Sequence, residues 1–91
     1  MFDTSDIQKL DRSYFNIIVQ ADYDVMIQSK NTGHIWCIRS SGNRKGGECI
    51  IFHKHEAFHP FHKHGKAKGL CQAVWMIKRH DVFQMNGRKY T

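Results

Sequence analysis

From Phe15 onward, apolar and polar positions alternate. Phe15, Ile17 and Val19 are separated by Asn16, Ile18 and Gln20, and after Ala21-Asp22 the residues Tyr23, Val25 and Ile27 alternate with Asp24, Met26 and Gln28. A period of two sends successive side chains to opposite faces of an extended chain, so these runs predict two tightly joined strands. Asn31-Thr32-Gly33 supplies residues that tolerate positive φ in a hairpin turn, and His34–Arg39 resumes the alternation as a third strand. Ser40–Glu48, with three glycines beside Arg44 and Lys45, reads as a basic loop, and Cys49–His55 as a fourth strand.

The two ends of the chain follow a different period. Ile7, Leu10 and Tyr14 recur at three- and four-residue spacing behind the cap candidates Asp3, Thr4, Ser5 and Asp6, which predicts a short helix near residues 5–11. Leu70, Ala73, Val74 and Ile77 predict a second helix from about Lys66 to His80, with Gly69 a weak point that would delay its start. From Val82 the tail reads as a turn and a frayed end. The expected fold is α+β: a short N-terminal helix, a four-stranded antiparallel meander, and a C-terminal helix packed on one sheet face.

Size and composition set the scale of this fold. The 91 residues, 41% hydrophobic and 12% aromatic, suit a single domain spanning 1–91 with one modest core and no room for a large enzyme cleft. Cys37, Cys49 and Cys71 are odd in number and form no CxxC pair, and Met-Phe-Asp-Thr-Ser-Asp lacks the basic and apolar regions of a signal peptide. A cytoplasmic protein is therefore expected. No apolar run approaches the roughly 20 residues of a membrane span, so no membrane partner is expected, and a monomer or weak dimer fits the size.

Charge changes the picture more than composition does. Residues 1–29 hold five acids against two bases, whereas residues 30–91 hold three acids against twelve bases, within a net charge of +6. A positive field on one part of a chain favours a polyanionic partner. Lys54, Lys63, Lys66 and Lys68 interleave with histidines and with Phe52, Phe58 and Phe61, offering cations for phosphates and flat rings for bases, although Phe52 and Phe58 read first as core. Arg39, Arg44 and Lys45, placed in the loop before the fourth strand, extend the candidate nucleic-acid surface. Lys66 and Lys68 in the first turn of a helix would oppose its dipole unless a phosphate sat there; a helix starting after Gly69 removes that conflict.

Five of the seven histidines lie between His53 and His64, where Phe-His-Lys-His occurs twice. Two imidazoles at i and i+2 of a strand share a face and can hold one ion. His53 and His55 form one such pair, and His62 and His64 a second if the chain folds back, with zinc the candidate cofactor and Glu56, His59 or Cys49 spare ligands. If the imidazoles met phosphates instead, affinity would rise as they protonate between about pH 7.5 and 6.

Lys66-Ala67-Lys68 resembles the Lys-x-Ala-Lys opening of the second helix in double-stranded-RNA-binding domains, over about five residues. Cys71-Gln72 here replaces the paired alanines of that family. Small RNA-cleaving toxins also combine a basic α+β domain with one histidine, a role open to His34 or His59 as general acid–base. No catalytic motif surrounds either residue, and Cys71 reads as packing. The sequence thus points to a binding module rather than an enzyme: for DNA or RNA first, with a zinc domain or a protein-interaction or inhibitor module of a mobile element, taking an acidic protein partner, as the other readings.

Overall fold

Five strands, one more than the alternation predicts, follow one another in space as they do in sequence. They are β1 (Phe15–Gln20), β2 (Asp24–Ser29), β3 (Ile35–Ser40), β4 (Cys49–Lys54) and β5 (His62–Ala67), an antiparallel sheet in the order β1-β2-β3-β4-β5. A helix, α1 (Leu70–Met85), follows β5. The computed structural model describes residues 2, 7, 8, 10–40, 48–56 and 58–85. The described helix is too short and polar to cross a membrane.

Sheet register decides which side chains share a face. Val25 opposes Ile38, Ile27 opposes Trp36, Ile38 opposes Ile51 and Trp36 opposes His53, so all of these face α1. With Phe15 and Cys49 they join Leu70, Ala73 and Ile77 of the helix in one buried cluster. The helical residues recur every three or four positions, the stripe an α-helix needs to lie on a sheet. The β2–β3 turn closes as the Asn31-Thr32-Gly33 signal predicts: Gly33 has φ +76°, its N–H donates to the Ser29 carbonyl at 2.8 Å, and the Ser29 N–H donates to the His34 carbonyl at 3.0 Å.

The N-terminal helix expected over 5–11 is not among the described elements: residues 5, 6 and 9 lie outside the described residues, Ile7 and Gln8 are in a helical conformation, and Ile7 and Leu10 are buried in the core. Two expectations for the C-terminal helix change. The C-terminal helix starts at Leu70, not Lys66, because the chain up to Ala67 pairs with β4. Its first bond runs from the Ala73 N–H to the Gly69 carbonyl at 3.0 Å, and the Gln72 side chain reaches back to accept the Lys68 N–H at 2.7 Å. The same helix runs past His80 to Met85, so Val82–Met85 is helical rather than a turn.

Tertiary partners explain that last turn. Asp81 is fully buried and accepts hydrogen bonds from Tyr14 Oη at 2.8 Å and Thr32 Oγ1 at 3.1 Å, joining α1 to the chain before β1 and to the β2–β3 turn. Burial, with Asp81 alongside, pushes the Tyr14 hydroxyl up to about 12. Replacing Asp81 by alanine strands two hydroxyls, and urea unfolding should show a loss of about 2–4 kcal/mol. A variant as stable as the parent would make this contact incidental.

Candidate functional site

The repeated Phe-His-Lys-His unit lies on β4 and β5, and pleating sorts its residues. On β4, Cys49, Ile51 and His53 are buried toward α1, whereas Ile50, Phe52 and Lys54 lie on the opposite face. On β5 strict alternation would put His62 and His64 on the face opposite Gly65 and Ala67. A bulge prevents this: Gly65 opposes Ile51 but Lys63 opposes Phe52, leaving His64 as the extra residue. Beyond the bulge His62 stands opposite His53, and both β5 histidines join the helix side.

Around His53 the result is dense. Its side chain is 2% exposed and stacks on Trp36 with ring centroids 4.0 Å apart at 18°. The imidazoles of His34, His55, His62, His64 and His80 have centroids between 4.8 and 5.9 Å from its own. His34 lies one step beyond the Ile35–Lys54 pair and stacks on His55 at 4.4 Å and 8°. His80 arrives from α1, 5.0 Å from His64. His53 Nε2 and His34 Nδ1 are 3.1 Å apart. Ligand nitrogens of His34, His53 and His80 all fall within 4.8 Å of one another.

Such a cluster disfavours protons. Burial first, then the mutual repulsion of His34, His80, His55 and His62, pushes the His53 imidazole down to about 3. Burial likewise lowers His64, with His62 adding to it, and lowers His80, where Asp81 opposes the shift. His53, His64 and His80 are thus held toward the neutral form, as nitrogen donors over the Trp36 indole.

The opposite face of the same strands carries the cations. β3, β4 and β5 contain Arg39, Lys54, Lys63 and Lys66 and no acidic residue. Register aligns them in rows across the sheet: Arg39, Ile50 and Lys66; Cys37, Phe52 and Lys63; Ile35 and Lys54. Phe61 folds back onto this face, with Lys54 Nζ 4.3 Å from its ring centroid, and Arg39 lies 5.8 Å from the Phe52 ring. A shallow depression between them is lined by Cys37, Arg39, Phe52 and Phe61. Arg39 also donates to Asp24 Oδ1 at 2.8 Å, which raises its pKa.

The candidate residues of the sequence therefore separate. Of the expected cation set, Arg39, Lys54, Lys63 and Lys66 share the outward face; Arg39 lies on β3 rather than in the following loop. Lys68 is exposed between β5 and α1, and Arg44 and Lys45 lie outside the described residues. Lys66 is on a strand and Lys68 precedes the helix, so the dipole conflict and its phosphate do not arise, and the Lys66–Lys68 resemblance to a helix opening has no helix there. Phe52 is half-buried on the outward face and Phe58 is 81% exposed, so neither is core.

Of the expected ligands His53, His55, His62 and His64, only His53 belongs to the tightest group, and His34 and His80 complete it. Glu56 stands 3.8 Å from His59, and neither belongs to the His34, His53 and His80 group. Register would have found His34, since a strand paired through Ile35 and Lys54 sets it against His55. His80 carries only a weak signal, three residues after the buried Ile77 on the same helix stripe. Compared with protein-family models, curated proteins and solved structures, the chain matches none.

Proposed function

We propose that the domain binds single-stranded nucleic acid on the outward face of β3–β5. The observation that carries this reading is the alignment of Arg39, Lys54, Lys63 and Lys66 around Phe52 and Phe61 on three strands without an acid. Cations there meet phosphates while the rings offer faces on which bases stack, a combination tolerant of sequence. A duplex keeps its base faces stacked inside, so a sheet face carrying two partly exposed rings suits an unpaired strand better.

Four phosphate contacts on a single strand give a slope of about −3 in log affinity against log salt, roughly a fiftyfold loss between about 50 and 200 mM. Because the His53 cluster lies on the other face and His53, His64 and His80 resist protonation, affinity should change little between about pH 7.5 and 6.5, unlike the expectation for phosphate contacts made by that cluster. Fluorescence polarisation with labelled oligothymidylate and oligouridylate tests both points and separates DNA from RNA preference. Absence of affinity for either at low salt would remove the reading.

A further inference from the structure

Three elements that are distant in sequence each deliver one imidazole to the same point: the residue before β3 gives His34, the end of β4 gives His53, and the second half of α1 gives His80. We infer that His34, His53 and His80 form a binding centre for one divalent transition ion of the zinc class. The inference does not depend on nucleic-acid binding, which uses the opposite face of the sheet.

Geometry is the first support. Two nitrogens on a tetrahedral zinc with bonds of 2.0–2.1 Å stand about 3.3 Å apart. His53 Nε2 and His34 Nδ1 are 3.1 Å apart, and all three donors fall within 4.8 Å of one another, close to the spacing that one ion requires. Without an ion, one proton must be shared in the His34–His53 contact, one nitrogen donating and the other accepting. A divalent ion takes the place of that proton and satisfies both lone pairs.

Donor chemistry is the second. Three imidazoles suit zinc, copper, nickel or cobalt, and lack the oxygens that magnesium or calcium requires. Three protein nitrogens leave a tetrahedral ion one position for water or for a further imidazole, and His64 is the ring nearest His80 on that side.

The third support is how the site is held. Trp36, fully buried, stacks beneath His53 and meets His64 and His80 edge-on at 5.2 and 5.4 Å, while His55 lies flat against His34. These contacts limit how the ligand rings turn, the preorganisation a metal site needs. A depression lined by His64, Trp75, Met76, Arg79 and His80 gives an ion a route from solvent. Once bound, the ion ties β3, β4 and α1 together at one end of the sheet.

The test uses the full chain purified without a metal-affinity column, stripped with chelator and titrated with zinc by calorimetry and with cobalt by visible absorption. The expected result is one equivalent of zinc, cobalt bands as intense as those of a four-coordinate ion, and a melting temperature raised by about 10 °C or more when free zinc exceeds the dissociation constant a hundredfold. His34→Ala and His80→Ala should each lower zinc affinity at least about tenfold, and His59→Ala should leave it unchanged. Zinc should also move the imidazole carbon signals of His34, His53 and His80 in the unmutated protein and leave those of His59 in place, a readout that does not require a variant to fold. Substoichiometric zinc with an unshifted melting temperature overturns the proposal. So does affinity that survives His34→Ala and His80→Ala but is lost in a His55→Ala, His62→Ala double variant.

Discussion

Metal-free protein is expected to lose stability steadily as it is acidified from about pH 6.5 toward 4, above the range in which carboxylate protonation usually unfolds a domain. The cause is His53, ordinarily near 6.5 and held at about 3 in the fold by burial and by the His34, His80, His55 and His62 rings around it. Below 6.5 the unfolded chain takes up a proton that the native state refuses. Stability is therefore fully present above 6.5 and falls with pH toward 3, by about 1.4 kcal/mol per pH unit for one such group. His64 and His80 are lowered in the same direction and steepen the loss, the nearby Asp81 moderating it at His80.

Between 6.5 and 3 one such group removes about 5 kcal/mol, the whole stability of a domain at the lower end of the usual range of about 5–15 kcal/mol. Circular dichroism followed against pH in chelator should place the midpoint above pH 4. His53→Leu, which keeps an apolar group against Trp36, should move the midpoint down by at least half a unit. An acid midpoint near pH 3 in the parent, or one unchanged in His53→Leu, would show that the cluster accepts protons without penalty.

Reversing charge at Lys54 and Lys63 together is expected to lower affinity for oligothymidylate and oligouridylate by about a hundredfold at low salt, near 1.4 kcal/mol per site. Both lysines project from the outward face, and glutamate turns each attraction into a repulsion. Two fewer phosphate contacts should also flatten the salt dependence by about 1.4 in log–log slope. The fold should persist, because Lys63 is exposed and the Lys54 contact with the Phe61 ring, at 4.3 Å, contributes only about 0.5–1 kcal/mol. Melting curves of the double variant check that, and unchanged oligonucleotide affinity in the folded variant would remove these lysines from the contact.

How far these features could be read from the chain depends on burial. β2 and β4 bury every second residue, and their alternation survives in sequence because one face must be apolar; β3 buries four residues in a row and reads as a short apolar run, and β1 buries only Phe15. β5 has no such pattern: it is an edge strand in which only Ala67 is buried, it contains His-Lys-His-Gly-Lys, and its bulge shifts the period midway. Its lysines are what a strand with an open edge carries to discourage pairing with another chain. Missing β5 drew the helix start back to Lys66, although Gly69 marked the true boundary.

The histidine site was half legible for a related reason. His53 and His55 share a face by simple alternation, and this holds. His34 needed the β3–β4 register, and His80 needed the packing of α1 on the sheet, neither of which is local. The cation surface was legible as a set of lysines, but not as a face. The repeat Phe-His-Lys-His reads as an intermixed patch, whereas pleating and one bulge put its imidazoles around His53 on the helix side, His55 and His62 at the exposed rim, and its lysines and phenylalanines on the other side.

That division is the central claim, and aromatic carbon–proton spectra of the protein titrated with oligothymidylate or oligouridylate test it most directly. The ring signals of Phe52 and Phe61 should move on binding while the imidazole signals of His34, His53 and His80 stay in place. Movement of the imidazoles with the phenylalanines unmoved would contradict it.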